Sequence, residues 1–247
     1  MLNNPTTEKL RAMRLIGMLK ALENQDTVPD VDKLSFSERF GLIVDNEYTE
    51  RQNRALSKRL ISARLKQEAC LEDINFKAVR NLDKRLLTQL ASCQWVQEGL
   101  AVLITGKTGT GKTYVACALA NKACRAGFTS LYVRAPRLFH DITVSKINNT
   151  YTKFLARLAR LDVLLIDDFA LIPLSEEHCR DMLEIIDDRC NKKSTVIISQ
   201  LPVDTWHQTM INATLADAIL DRVVNNSYRL NLTGPTMRDP KNTDKSE

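Results

Sequence analysis

Leu103-Ile104-Thr105-Gly106-Lys107-Thr108-Gly109-Thr110-Gly111-Lys112-Thr113 reads as a buried strand, a glycine-rich turn and the first turn of a helix. Gly106, Gly111, Lys112 and Thr113 stand at the spacing G-x-x-x-x-G-K-[ST], that of a phosphate-binding P-loop. Glycines let backbone N–H groups turn inward and approach a polyphosphate closely, and the helix that follows adds its positive N-terminal end. On this reading Gly106, Lys107, Thr108, Gly109, Thr110 and Gly111 cradle ATP. Lys112 reaches its β- and γ-phosphates, and the Thr113 hydroxyl ligates Mg²⁺. The apolar run Leu100-Ala101-Val102-Leu103-Ile104 precedes the motif and the helix formers Val115 to Ala120 follow it. A glycine turn without a ligand needs no such setting.

Downstream, Val163-Leu164-Leu165-Ile166-Asp167-Asp168 is an apolar strand that delivers two acids at its C-terminal end, a Walker B pattern. Asp167 is expected to hold Mg²⁺ through water, and Asp168 to orient or activate the attacking water. The strand Thr195-Val196-Ile197-Ile198 ends in Ser199-Gln200, and either polar side chain could sense the γ-phosphate there. Arg222 lies on an otherwise apolar helix. It is either a local charge beside Asp221 or a finger that reaches a neighbouring subunit's γ-phosphate.

The elements around these motifs alternate. Strands are expected near residues 100–104, 130–133, 162–168, 195–198 and 228–232, with helices near 83–97, 112–126, 136–147, 150–160, 175–190 and 213–225. Apolar strands between helices indicate a parallel five-stranded α/β sheet covered by helices. Ahead of it, residues 6–25, a short stretch from Ser35 and residues 46–66 have helical spacing, which indicates a small all-α domain. The boundaries drawn are 1–68, 69–233 and a polar tail, 234–247.

Charge is unevenly placed. Arg51, Arg54, Lys58, Arg59, Arg64 and Lys66 follow one another with no acid between Glu50 and Glu68, and Arg51, Arg54 and Lys58 share a face. With nothing acidic on the helix to neutralise them, these cations are expected to meet DNA phosphates; a solvated face is the ordinary alternative. Lys146, Lys153, Arg157 and Arg160 form a second acid-free stretch, with Lys153 and Arg157 as the expected DNA contacts and a solvated face again the alternative.

The composition excludes several classes. A hydrophobic fraction of 44% and a charged fraction of 26% are those of a globular chain, and the net charge of +5 permits a nucleic-acid partner without demanding one. Six cysteines without a C-x-x-C pair suit small buried side chains in a reducing compartment, and three scattered histidines carry no ligand spacing. No signal-peptide pattern and no long apolar run are present, so a cytoplasmic protein without a membrane partner is expected.

The chain resembles the IstB-like ATP-binding proteins, transposition helper ATPases of insertion sequences, related to DnaC-like helicase loaders within the AAA+ superfamily. The resemblance rests on Leu10 to Leu15, Phe36-Ser37-Glu38-Arg39, Glu50 to Arg54, Leu71 to Phe76, the P-loop, Leu165 to Phe169, Ile198 to Pro202 and Gly234-Pro235-Thr236-Met237-Arg238. It implies an AAA+ P-loop ATPase, a homo-oligomer with ATP sites shared between subunits, that assembles on double-stranded DNA and works with a partner transposase. It places the finger on Arg222 and a tail arginine at the nucleotide on Arg238. With few residues after Thr233, the C-terminal lid of such proteins is expected to be missing. The competing reading is a replicative helicase loader acting on single-stranded DNA; a metabolic P-loop kinase would need a lid.

Overall fold

In the computed structural model, residues 5–25, 33–76 and 80–237 are described. The chain divides into two compact units, Met1–Lys58 and Arg59–Glu247, and the division falls inside a helix.

In the first unit, Pro5–Ala12 (α1) and Ile16–Gln25 (α2) are separate helices where apolar spacing predicts one. Arg14 takes a left-handed φ of 59°. The Leu15 amide bonds back to the Leu10 carbonyl and the Arg14 amide to that of Arg11, the hydrogen-bond pattern of a helix stop. The opposite holds for Phe36–Ala63 (α3), a single helix of 28 residues in place of two. Ser35 and Glu38 start it with reciprocal bonds: the Ser35 amide donates to Glu38 Oε2 and the Glu38 amide to Ser35 Oγ. Asp45 and Asn46, read as a boundary, have middling helix propensity and no power to break a turn.

In the second unit, Lys84–Ala91 (α4), capped by Asp83, and the single turn Gln94–Gln97 (α5) lead into Ala101–Gly106 (β1). Cys93, at φ 60°, splits the one helix expected there. Then come Lys112–Arg125 (α6), Ser130–Arg134 (β2), Ala135–Ile147 (α7), Tyr151–Arg160 (α8), Val163–Asp167 (β3), Glu176–Arg189 (α9), Ser194–Ser199 (β4), Ala213–Val224 (α10) and Ser227–Leu232 (β5). All five expected strands form. They make one parallel sheet in the order β2-β3-β4-β1-β5.

Burial on both faces explains why β1, β3 and β4 carry unbroken apolar runs at their centres. Val102, Ile104, Leu165, Val196 and Ile198 join one core beneath α4, α5 and α6. Leu103, Leu164, Ile166 and Ile197 join the other, beneath α7, α9 and α10. A strand covered on both faces has no polar side to show. The strand order sets β4 between β1 and β3, so their C-terminal ends present Gly106, Ser199 and Asp167 side by side. Among the described residues no helix is long and apolar enough to cross a membrane.

Candidate functional site

The P-loop leaves β1 at Gly106 and enters α6 at Lys112. Thr110 Oγ1 and Lys112 Nζ both donate to the Lys107 carbonyl, each at 2.9 Å, which closes the turn on itself. Thr113 Oγ1 donates to Asp167 Oδ2 at 2.9 Å. A hydroxyl and a carboxylate at that separation form the hard oxygen set that Mg²⁺ takes, and the glycine turn in front of them fits the phosphates of ATP.

Asp167 is 3% exposed and fully engaged. The Tyr132 hydroxyl donates to the same Oδ2 at 2.7 Å, and the Asp168 amide to Oδ1 at 2.8 Å. Burial pushes the Tyr132 hydroxyl well above its usual range, and the bond to Asp167 pushes it further, so Tyr132 keeps the proton it donates to that carboxylate. Asp168 sits at φ 57° and turns its carboxylate to Arg134, whose Nε donates to it at 2.6 Å. That bond and the charge of Asp168 raise the Arg134 guanidinium above its ordinary value. Neither Tyr132 nor Arg134 stands out in the sequence. Both lie on β2, whose register against β3 pairs Arg134 with Asp167, and only that pairing brings them to the acids.

The two sensor candidates have different partners. Ser199 Oγ is buried and donates to the Phe169 carbonyl, whereas Gln200 Oε1 accepts from Thr108 Oγ1 at 2.7 Å on the P-loop itself. Gln200, Asp167, Asp168, Lys112 and Thr113 line one cavity of about 400 Å³. Its wall continues onto Asp73, Asn75, Arg80, Tyr114 and Met237, none of which the sequence marked as a nucleotide contact. Arg80 is 4% exposed. Its Nη2 donates to the Asn75 carbonyl at 2.9 Å, its Nε has no acceptor among the described residues, and burial pulls the guanidinium below its usual range. The tail reaches the loop too: the Met237 amide donates to the Gly109 carbonyl at 2.8 Å. Thr236 lies so close that a Cβ on Gly109 would run into its side chain. Arg238, the expected tail contact, lies outside the described residues.

Arg222 is elsewhere. It stands beside Ala101 and Thr195 at the N-terminal edge of the sheet, opposite the P-loop. Its Nε pairs with Asp187 on α9 rather than with the adjacent Asp221, and its Nη1 donates to the Ala218 carbonyl at 2.8 Å.

The expectation that α3 carries unneutralised cations is corrected. Glu47 and Glu50, one turn earlier on the same helix, meet them: Arg51 Nε lies 2.7 Å from Glu47, and Arg54 lies 3.7 Å from Glu47 and 3.9 Å from Glu50. Glu47 is buried because it also caps α2, accepting from the Gly17 amide at 2.6 Å and the Met18 amide at 3.2 Å. Burial works against its charge, but Arg51 and the two amides hold its carboxyl below the usual range. Lys58 is exposed and makes no ion pair among the described residues. In the second stretch Lys146 pairs with Asp181 and Glu177 of α9. Lys153 and Arg157 on α8 are exposed, with no ion pair among the described residues.

The family model for IstB-like ATP binding protein matches residues 8–246. A protein of Sinorhizobium fredii named as the insertion sequence ATP-binding protein y4pL is 40% identical over 238 residues, 96% of this chain and 97% of that one. A Pseudomonas fluorescens protein named as the ATP-binding protein of insertion sequence IS1162 is 43% identical over 206 residues, 83% of this chain and 89% of its own. Among solved structures, DnaI is similar with a TM-score of 0.56 at 24% identity, over 68% of this chain and 90% of that one. The DnaC helicase loader follows at 0.53 and 20%, over 71% and 99%. The five-stranded sheet and its helices therefore have the AAA+ P-loop fold of those neighbours.

Proposed function

Because the chain belongs to the IstB-like ATP-binding family, we propose that it is a Mg²⁺-dependent ATPase of an insertion sequence. It assembles as a homo-oligomer on duplex DNA and assists a partner transposase, with hydrolysis resetting the assembly. The observation that carries the ATPase reading is the Thr113–Asp167 pair at the end of the P-loop, with Gln200 bonded to the loop at Thr108. The transposition reading is supported by relatives named for insertion sequences along nearly the whole chain.

Placement supports the following roles. Gly106 to Gly111 and Lys112 bind the phosphates; Thr113 and Asp167 hold Mg²⁺, which neutralises phosphate charge when bound. Tyr132 orients Asp167. Asp168 takes the proton of the attacking water, and Arg134 holds that carboxylate until water is placed. Gln200 reads the γ-phosphate. Arg222 faces away from its own loop, which suits action on a neighbour's nucleotide, with Asp187 holding it between encounters. Met237 brings the chain to Gly109, which supports Arg238 as a further nucleotide contact. DNA contacts are assigned to Lys153 and Arg157 on α8 in the second unit and, separately, to Lys58 in the first, while Arg51 and Arg54 meet phosphate only by sharing their charge with Glu47 and Glu50. Residues 1–68 form the DNA- or partner-binding part and 69–233 the ATPase.

ATP hydrolysis measured without DNA, with duplex and with single strands tests this reading. Duplex should raise turnover and single strands should not. Stimulation by single strands alone would overturn it in favour of a helicase-loader role.

A further inference from the structure

Arg80 combines burial, an unsatisfied donor and a place in the wall of the nucleotide cavity. It precedes α4, and its carbonyl is pinned by the Thr233 amide at 3.0 Å, just past the end of β5. Its guanidinium lies against the P-loop, where a Cβ on Gly111 would stand 2.8 Å from Nη1. A guanidinium has five N–H donors, and the Asn75 carbonyl takes one of them. Nε is buried without an acceptor, and no carboxylate pairs with Arg80 among the described residues. A buried cation is ordinarily paired or bound to an anion. Here the missing partner faces a cavity.

The layout of that cavity selects the anion. Asp167, Asp168 and Gln200 stand at one end, where a terminal phosphate is processed, and Lys112 and Thr113 serve the phosphates next to it. Arg80 touches Gly111, one residue before Lys112, and neighbours Tyr114, one residue after Thr113. We propose that Arg80 is a nucleotide-binding residue whose guanidinium contacts the α-phosphate, the one nearest the sugar. ATP and ADP both carry this phosphate, so Arg80 grips the nucleotide before and after hydrolysis. The γ-phosphate is left to Lys112, Gln200 and the neighbour's arginine.

The assignment rests on the cavity taking an adenine nucleotide, and the test separates the two. Calorimetric titration of the full-length protein with ATP, ADP and the two diastereomers of ADP bearing sulfur on the α-phosphate is compared with R80A and R80K. Wild type should bind ADP and ATP and discriminate between the diastereomers. R80A should lose affinity for ATP and ADP by the same factor, about 10–100-fold, and lose the discrimination. R80K, which keeps a charge in the same space, should recover part of the affinity; it also serves if R80A does not fold. A wild type that binds neither ATP nor ADP removes the nucleotide reading itself. A wild type indifferent to sulfur at that phosphate, or an R80A or R80K variant with unchanged affinity and discrimination, removes the role of Arg80 alone.

Discussion

Two buried arginines stand at opposite edges of one sheet, and they differ in what they hold. Arg189, at the N-terminal edge, is 1% exposed and has an acceptor for each of its three nitrogens. It donates to the carbonyls of Leu158, Leu161 and Ser194 and to Thr195 Oγ1, tying the end of α8 to the start of β4. Burial pushes its guanidinium down to about 10. Arg80, at the C-terminal edge, bonds one carbonyl and leaves Nε without an acceptor among the described residues. The same residue type is a structural clamp where the chain satisfies it and a ligand site where the chain does not. The edges as a whole follow suit. Beside Arg189, Asp162 is held by Thr129 and by Lys193 at 2.6 Å; around the P-loop the polar groups face a cavity.

The largest effect should come from the one N-terminal-edge residue assigned a ligand. R222A should lower turnover by about 10³–10⁵-fold while ADP affinity stays at the wild-type level. Unchanged turnover would return Arg222 to the structural set. K112A should follow, with nucleotide affinity reduced by about 10²-fold in titrations and no loss of melting temperature.

R189A reverses the pattern. It strands three backbone carbonyls and should cost about 2–4 kcal/mol in denaturant unfolding, with nucleotide affinity intact in the folded fraction. R80A in the absence of nucleotide should cost less, because it strands one.

Asp162 adds a pH signature at the structural edge. Burial works against its charge, but Lys193 and Thr129 hold its carboxyl below the ordinary value. The unfolded chain therefore takes up the proton at higher pH than the folded one. This stabilisation is present above the unfolded value and is lost as pH falls through the folded one. D162N should lose about 1.5–3 kcal/mol at neutral pH and narrow its deficit in acid. A deficit that persists at low pH would point to the Thr129 bonds alone.

The smallest effects concern DNA. K153A and R157A should each flatten the salt dependence of duplex binding by about 0.9 in log–log slope. R51A should change it less, since Arg51 is neutralised by Glu47. Equal slopes for the two helices would erase the distinction drawn between them.

Much of this was legible before any contact was known. The strand–loop–helix around Gly106 to Thr113, the acids after Ile166 and all five strands are local patterns, since each depends on residues within a turn or a pleat of one another. The Glu47–Arg51 and Glu50–Arg54 pairs had a signal too, one helical turn apart, but the charge count began after Glu50 and passed over it. The breaks at Arg14 and Cys93 had none, because a left-handed residue other than glycine leaves no mark in composition.

Which charges find partners is a different kind of information. Tyr132 reaches Asp167 through strand register, Lys146 reaches Asp181 across two helices, and Arg222 prefers Asp187 to its sequence neighbour. Arg80 comes to lie on Gly111 because the chain after β5 pins its backbone beside the loop. Periodicity and motif spacing are short-range properties that the residues carry with them, and they were enough for the sheet, the glycine-rich loop and the acids that end β3. Desolvation and hydrogen-bond satisfaction depend on segments that meet only after the chain has folded. For that reason one buried arginine could be told from the other in the folded molecule and nowhere earlier.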